Sequence, residues 1–136
     1  MSAEDPRPAP GTEHEPFWAA CRRHVLAFER CGDCGRFRHH PRPRCPFCQS
    51  AAREWATVDG RGTVASWTIV HPPVLPAFEA RAPYNAVVVH LPEPDVYLVS
   101  NVVDCPADEL AVGMAVEVTF VDVDDELTLP QFRPVG

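Results

Sequence analysis

The sequence predicts a mainly β chain in which a short N-terminal helix leads into a small metal-held ribbon, and the ribbon into a five-stranded barrel. Two observations carry this. Two C-x2-C pairs lie between Cys31 and Cys48, and five segments rich in β-branched and aromatic residues follow residue 57. The chain has 136 residues, which at roughly 150 per domain make one compact domain or two very small ones packed together and exclude a large multidomain enzyme. Hydrophobic residues make up 46% and charged residues 23%, ordinary globular usage that argues against disorder along the whole length.

The elements follow in order. Residues 1–12 contain Pro6, Pro8, Pro10 and Gly11 and bury too little apolar surface to offset their ordering entropy, so they read as a flexible arm. Thr12 is followed by Glu15, Pro16 and the apolar run Phe17-Trp18-Ala19-Ala20. That is a capping-box start with proline near the first turn, and it predicts a helix from about Glu13 to Arg23. Val25 to Arg30 then alternates like a strand, Leu26 and Phe28 on one side and Ala27 and Glu29 on the other, and runs into Cys31. Residues 13–56 are therefore taken as helix plus ribbon. From 57 to 136, Gly60-Arg-Gly62 punctuates, and strands are expected at Thr63 to Val70, Tyr84 to Leu91, Val96 to Val103, Val116 to Asp122 and Leu127 to Phe132. Val116, Val118 and Phe120 alternate with Glu117 and Thr119, the mark of a half-buried strand. One or two helical turns fit Ala107 to Val112, and the proline-rich stretch His71 to Pro83 reads as a surface loop. Five short strands of this kind suit a small closed barrel, and the OB-fold is the commonest five-stranded solution.

The cysteines carry the strongest chemical signal. Cys31-Gly-Asp-Cys34 and Cys45-Pro-Phe-Cys48 form C-x2-C-x10-C-x2-C. Tetrahedral zinc takes four such thiolates, two from each tight turn, whose backbone N–H groups hydrogen-bond the sulfurs. Gly32 and Gly35 permit the positive φ that such a knuckle uses. Four thiolates leave no open coordination position, which makes the metal structural, one zinc per chain; iron in a rubredoxin-like site is the alternative. A thioredoxin-type redox site uses a single C-x2-C at a helix start and does not fit two pairs flanked by prolines. His39 and His40 lie between the knuckles and could replace a cysteine, but four cysteines already complete the shell, while Cys21 and Cys105 lack a partner at ligand spacing and read as small packed side chains.

Charge narrows the function. The net charge is −7, unevenly spread: residues 22–61 carry +5 and residues 62–136 carry −9. The barrel aromatics Trp67, Tyr84, Tyr97 and Phe120 have no basic companions, so nucleic acid is not an expected partner. There is no lysine, which removes Schiff-base and Walker-lysine chemistry from this chain. His71 and His90 accompany no nucleophile motif, Asp122, Asp124, Asp125 and Glu126 lack the spacing of a calcium loop, and no catalytic constellation emerges. Arg36, Arg38, Arg42 and Arg44 concentrate positive charge in the ribbon, either as a contact surface for phosphates or an acidic protein, or as a solvated face. Phe17 and Trp18 stand beside that charge as interface anchors or as a staple of helix to ribbon. No apolar run approaches the roughly 18 residues of a membrane span and no signal-peptide plan opens the chain, so a cytoplasmic location without membrane contact is expected.

Taken in order, Phe17-Trp18, Cys31-x2-Cys34-Gly35, Pro41-Arg-Pro-Arg-Cys45-Pro-x-Cys48, Gly60-Arg-Gly-Thr-Val64, Ala82-Pro-Tyr84, Gly113-Met with Val116-Glu-Val118, and Leu127-Thr-Leu-Pro-x-Phe132 resemble the zinc-ribbon plus OB-fold proteins associated with acyl-CoA metabolism. The likeness runs from about residue 15 to the C-terminus; Gln49 departs from it, standing where glycine often follows the last cysteine. The resemblance implies a rubredoxin-like zinc ribbon and a C-terminal OB-fold. It also implies a non-catalytic accessory subunit of a thiolase-superfamily or aldolase protein that makes or breaks C–C bonds in acyl-CoA thioesters, as in steroid side-chain or lipid degradation. A partner of a hotdog-fold enoyl-CoA hydratase, or an independent module binding acyl-CoA or a nucleotide, is the alternative.

Overall fold

A computed structural model describes residues 7–9, 12–71, 76–81 and 83–135, and of 78 and 79 the backbone alone. One α-helix, α1 (Glu15–Arg22), precedes eight strands: β1 (Leu26–Cys31), β2 (Phe37–Arg38), β3 (Arg53–Val58), β4 (Arg61–Val70), β5 (Tyr84–Leu91), β6 (Val96–Ser100), β7 (Ala115–Asp122) and β8 (Thr128–Pro134). They form two antiparallel sheets, β2-β1-β3 and β6-β5-β4-β7-β8. The chain is mainly β with a short helix, a ribbon and a curled five-stranded sheet, as expected.

The helix begins on His14 rather than on a capping box, and no side chain caps it. Thr12 stands two residues before that cap: its carbonyl accepts from the Glu15 N–H at 3.0 Å and its hydroxyl from the His14 N–H at 3.3 Å. Pro16 fits the first turn, where its missing N–H has no helical partner. Phe17, Ala20 and Cys21 form the buried face, and Phe17 lies against Phe28 of β1. The alternation read into β1 marks two buried faces: Leu26, Ala27, Phe28 and Glu29 are all buried. Helix packing explains the first face; the second, which holds Glu29, belongs to the ribbon.

In the barrel β5 alternates cleanly, with Val87, Val89 and Leu91 inward. β4 pairs with β5 through Val70 and with β7 only over Arg61–Thr63, and its register shifts between Val64 and Ser66. That irregularity lets one long strand curl from one neighbour to the other. The seam between β6 and β8 closes where Val102 bridges Phe132, the Phe132 N–H donating to the Asn101 carbonyl at 2.9 Å and the Val103 N–H to the Phe132 carbonyl at 2.7 Å. Val64, Val87, Val89, Leu91, Val116 and Phe132 fill the interior and run without a break into Phe17, Leu26 and Phe28. The expected loop from His71 to Pro83 holds a 3₁₀ turn at Pro76–Arg81, and its residues 72–75 and 82 lie outside the described residues. Of the N-terminal arm, residues 1–6, 10 and 11 likewise lie outside them; the Arg7 guanidinium meets Asp124 at 2.6 Å.

Candidate metal centre

Two turns of the same construction bring the thiols together. In the first, the Cys31 N–H donates to the Arg36 carbonyl at 2.9 Å and the Gly35 N–H to the Cys31 carbonyl at 3.1 Å. In the second, the Cys45 N–H donates to the Ser50 carbonyl at 2.8 Å and the Gln49 N–H to the Cys45 carbonyl at 2.9 Å. Gly35 has φ 77° and Gln49 has φ 67°, so the departure at Gln49 leaves the knuckle intact and places a non-glycine residue in the left-handed region. Gly32 has no positive φ, contrary to expectation. Its need is space, since a Cβ there would lie 3.1 Å from that of Ala52.

The sulfurs converge from these turns. Cys31 Sγ lies 3.6 Å from Cys48 Sγ, Cys34 Sγ lies 3.6 Å from Cys45 Sγ, and all four fall within 4.8 Å of one another. A tetrahedral ion with Zn–S bonds of about 2.3 Å holds its sulfurs about 3.8 Å apart, so these two pairs stand close to that spacing and all four can close on one zinc. The Asp33 and Cys34 N–H groups each point at Cys31 Sγ at 3.4 Å, and the Phe47 N–H at Cys45 Sγ at 3.4 Å. Donation from the Cys34 and Asp33 N–H groups lowers the Cys31 thiol from 9.0 to about 6. Beside it the Ser50 N–H lowers the Cys48 thiol, but desolvation and the neighbouring sulfurs outweigh that and raise it to about 12. Four crowded thiols cannot all ionise without a cation, and a divalent ion supplies that charge. With every position taken by protein sulfur, the zinc is structural.

A zinc tetrathiolate carries a net charge of about −2, and the arginines around it answer that charge. Arg38, expected at the surface, is 6% exposed. Its Nε donates to Glu29 Oε2 at 2.8 Å and its Nη2 to the Arg42 carbonyl at 3.5 Å. Glu29 is 1% exposed; its Oε2 also accepts from the Arg42 N–H at 3.0 Å, and its Oε1 lies 3.4 Å from Arg53 Nη1. Sequence reasoning missed this carboxylate. The available signal was an acid inside a strand that leads directly into an arginine-rich knuckle.

The remaining assignments divide by exposure. Phe17 is 3% exposed and packs on Phe28 and His39, the contacts that a staple of helix to ribbon makes. Trp18 is half-buried. Arg36, Arg42 and Arg44 are exposed: Arg36 lies over the exposed Phe47 ring at 4.3 Å, and Arg44 Nη1 donates to the Gln49 carbonyl at 3.1 Å. The four-thiol group contains neither His39 nor His40. His39 sits between Phe17 and Phe28 instead, and burial, helped by His40 and His14, lowers it from 6.5 to about 4. Cys21 is fully buried, and desolvation pushes its thiol up to about 12. Asp122 and Asp124 organise a hairpin, Asp124 accepting from the Glu126 and Leu127 N–H groups. No helix among the described residues is long and apolar enough to cross a membrane.

Comparison with known proteins matches this layout. Residues 18–53 match the family described as ChsH2, rubredoxin-like zinc ribbon domain, and residues 55–121 that described as ChsH2, C-terminal OB-fold domain. A "Probable enoyl-CoA hydratase alpha subunit" of Thermomonospora curvata is 40% identical over 95% of this chain and 40% of its own length. The "3-oxo-4,17-pregnadiene-20-carboxyl-CoA hydratase alpha subunit" of Mycobacterium tuberculosis is 29% identical over 88% of this chain and 37% of its own. The chain thus spans about two fifths of those two relatives. A solved chain titled "Ltp2-ChsH2(DUF35) aldolase" superposes with a TM-score of 0.85 at 38% identity, covering 94% of this chain and 98% of that one.

Proposed function

The chain belongs to the ChsH2 (DUF35) family of zinc-ribbon and OB-fold proteins, and from that premise we propose that it is a non-catalytic accessory subunit of a thiolase-superfamily or aldolase enzyme acting on acyl-CoA thioesters. The observation that carries this reading is the likeness, over almost the whole of both chains, to a chain solved as part of an Ltp2-ChsH2 aldolase. The metal centre supports it from the other side. Its zinc is saturated by thiolates, so the ion orders a surface and does no chemistry of its own. That surface is cationic: Arg36, Arg42 and Arg44 are exposed around the knuckles, with Phe47 60% exposed among them. Together with Trp18 they form the partner contact in this reading, through guanidinium forks that suit carboxylates and, equally, the phosphates of CoA.

Purified chain, purified partner and their mixture, each assayed for acyl-CoA turnover, test the proposal. Turnover by the mixture alone, or by the partner at a much reduced rate, is expected. Turnover of an acyl-CoA by this chain alone overturns it. Two relatives named as hydratase alpha subunits favour a second reading, in which the partner is an enoyl-CoA hydratase; loss of hydration rather than of C–C cleavage when the chain is omitted identifies that case.

A further inference from the structure

Three histidines that the zinc site does not use meet at the junction of helix, ribbon and barrel. His14 Nε2 lies 3.3 Å from His40 Nδ1, and the His39 ring stands 4.1 Å from that of His40. We propose that His14 and His40 form a second metal site, for a late first-row divalent ion such as Zn(II), Co(II) or Ni(II), open toward the cavity beside them.

The first argument is distance. Two imidazole nitrogens on one tetrahedral ion, each bonded at about 2.0 to 2.1 Å, stand about 3.3 to 3.4 Å apart, the separation found here. The second is that the two ligands are positioned independently. His14 is fixed at the helix start, where its carbonyl accepts from the Phe17 and Trp18 N–H groups at 3.0 and 3.3 Å. His40 is carried by the ribbon, between His39, packed on Phe17 and Phe28, and the buried Pro41. The third is chemical availability. His24 and His90 are each paired with a carboxylate, Asp122 at 2.8 Å and Asp95 at 2.7 Å, whereas the His14–His40 contact is an imidazole–imidazole hydrogen bond, which an ion taking up both nitrogens would replace. The fourth is the space in front of the pair. A cavity of about 300 Å³ opens there, walled by the helix and by β6 and β8, with Ser100, Asn101 and Gln131 offering neutral oxygens and no arginine in its lining. His39 Nδ1, buried and without a hydrogen-bond partner, adds an imidazole to the same wall. Nitrogen and neutral oxygen select a borderline ion over calcium or magnesium. Two protein ligands bind more weakly than four thiolates, leaving the other positions to water or to a ligand in the cavity.

Protein carrying one zinc in the thiolate site is titrated with Co(II), following visible absorption and isothermal heat. A second, weaker equivalent is expected, with the weak d–d bands of nitrogen and oxygen ligation and no thiolate charge transfer. It disappears in His40→Ala and in His14→Ala and survives in His24→Ala; circular dichroism of the zinc-loaded variants verifies their fold. The same ion raises the melting temperature of the wild type and not of the two site variants. Saturation at the first equivalent overturns the proposal, as does a second equivalent that both site variants retain.

Discussion

The ribbon and the barrel hold their shapes by different means. Between Cys31 and Ser50 the buried residues are Cys31, Arg38, Pro41 and Cys45, two of which are metal ligands and one a charge. The barrel interior holds Val64, Val87, Val89, Leu91, Val96, Leu98, Val116 and Phe132. One region is thus ordered by coordination and by a paired buried charge, the other by removal of apolar surface from water. The difference teaches where each is vulnerable: the ribbon to chelators and to loss of a single charge, the barrel to cavities.

The largest effect is expected from the metal. Structural zinc contributes roughly 10 to 16 kcal/mol of apparent binding energy, far more than the few apolar contacts of the knuckles. Chelation, or Cys45→Ser, should release the amides of residues 31–58 to hydrogen exchange while those of β4, β5 and β7 stay protected. Simultaneous release of both would break the comparison. Next comes the buried pair. Arg38→Ala leaves Glu29 without its closest guanidinium and should cost about 3 to 5 kcal/mol in chemical denaturation, with weakened zinc retention. Phe132→Ala should cost a similar amount, about 3 to 5 kcal/mol, through a cavity in the barrel, with zinc retention unchanged. Equal zinc loss in both variants would show the two regions to be one.

These elements also mark what the sequence could reveal. The thiol spacing was legible because coordination geometry constrains Cys31, Cys34, Cys45 and Cys48 locally, and the β5 and β7 patterns because a sheet face repeats every second residue. Local pattern gives a residue's type and not its neighbours, so it leaves Arg38 between a contact surface and a solvated face and Phe17 between an anchor and a staple. Glu29 on the adjacent strand buries the first, and His39 with Phe28 buries the second. The meeting of His14 and His40 joins positions 26 residues apart and could not be seen before the ribbon was folded onto the helix.

A smaller effect is expected from pH. The folded His39 titrates near 4 and the unfolded one near 6.5, so as pH falls below 6.5 the unfolded chain takes up the proton first. The contribution is complete above pH 6.5 and lost by about pH 4, amounting to roughly 3 kcal/mol. His39→Gln should flatten the stability profile across that window; an unchanged slope would place the titration elsewhere. The smallest effect on stability belongs to the exposed arginines. Arg36→Glu, Arg42→Glu and Arg44→Glu together should shift unfolding by no more than about 0.5 kcal/mol each. Their expected consequence lies in partner binding, weakened most at low salt.

The central claim, that a metal-ordered ribbon on a barrel serves a partner enzyme, is tested most directly by co-expressing the chain with a thiolase-superfamily or aldolase partner and measuring complex formation by gel filtration, with and without zinc. One stable complex is predicted, lost on chelation and weakened by the triple arginine reversal. Separate elution of the two proteins, with the partner fully active alone, would contradict it.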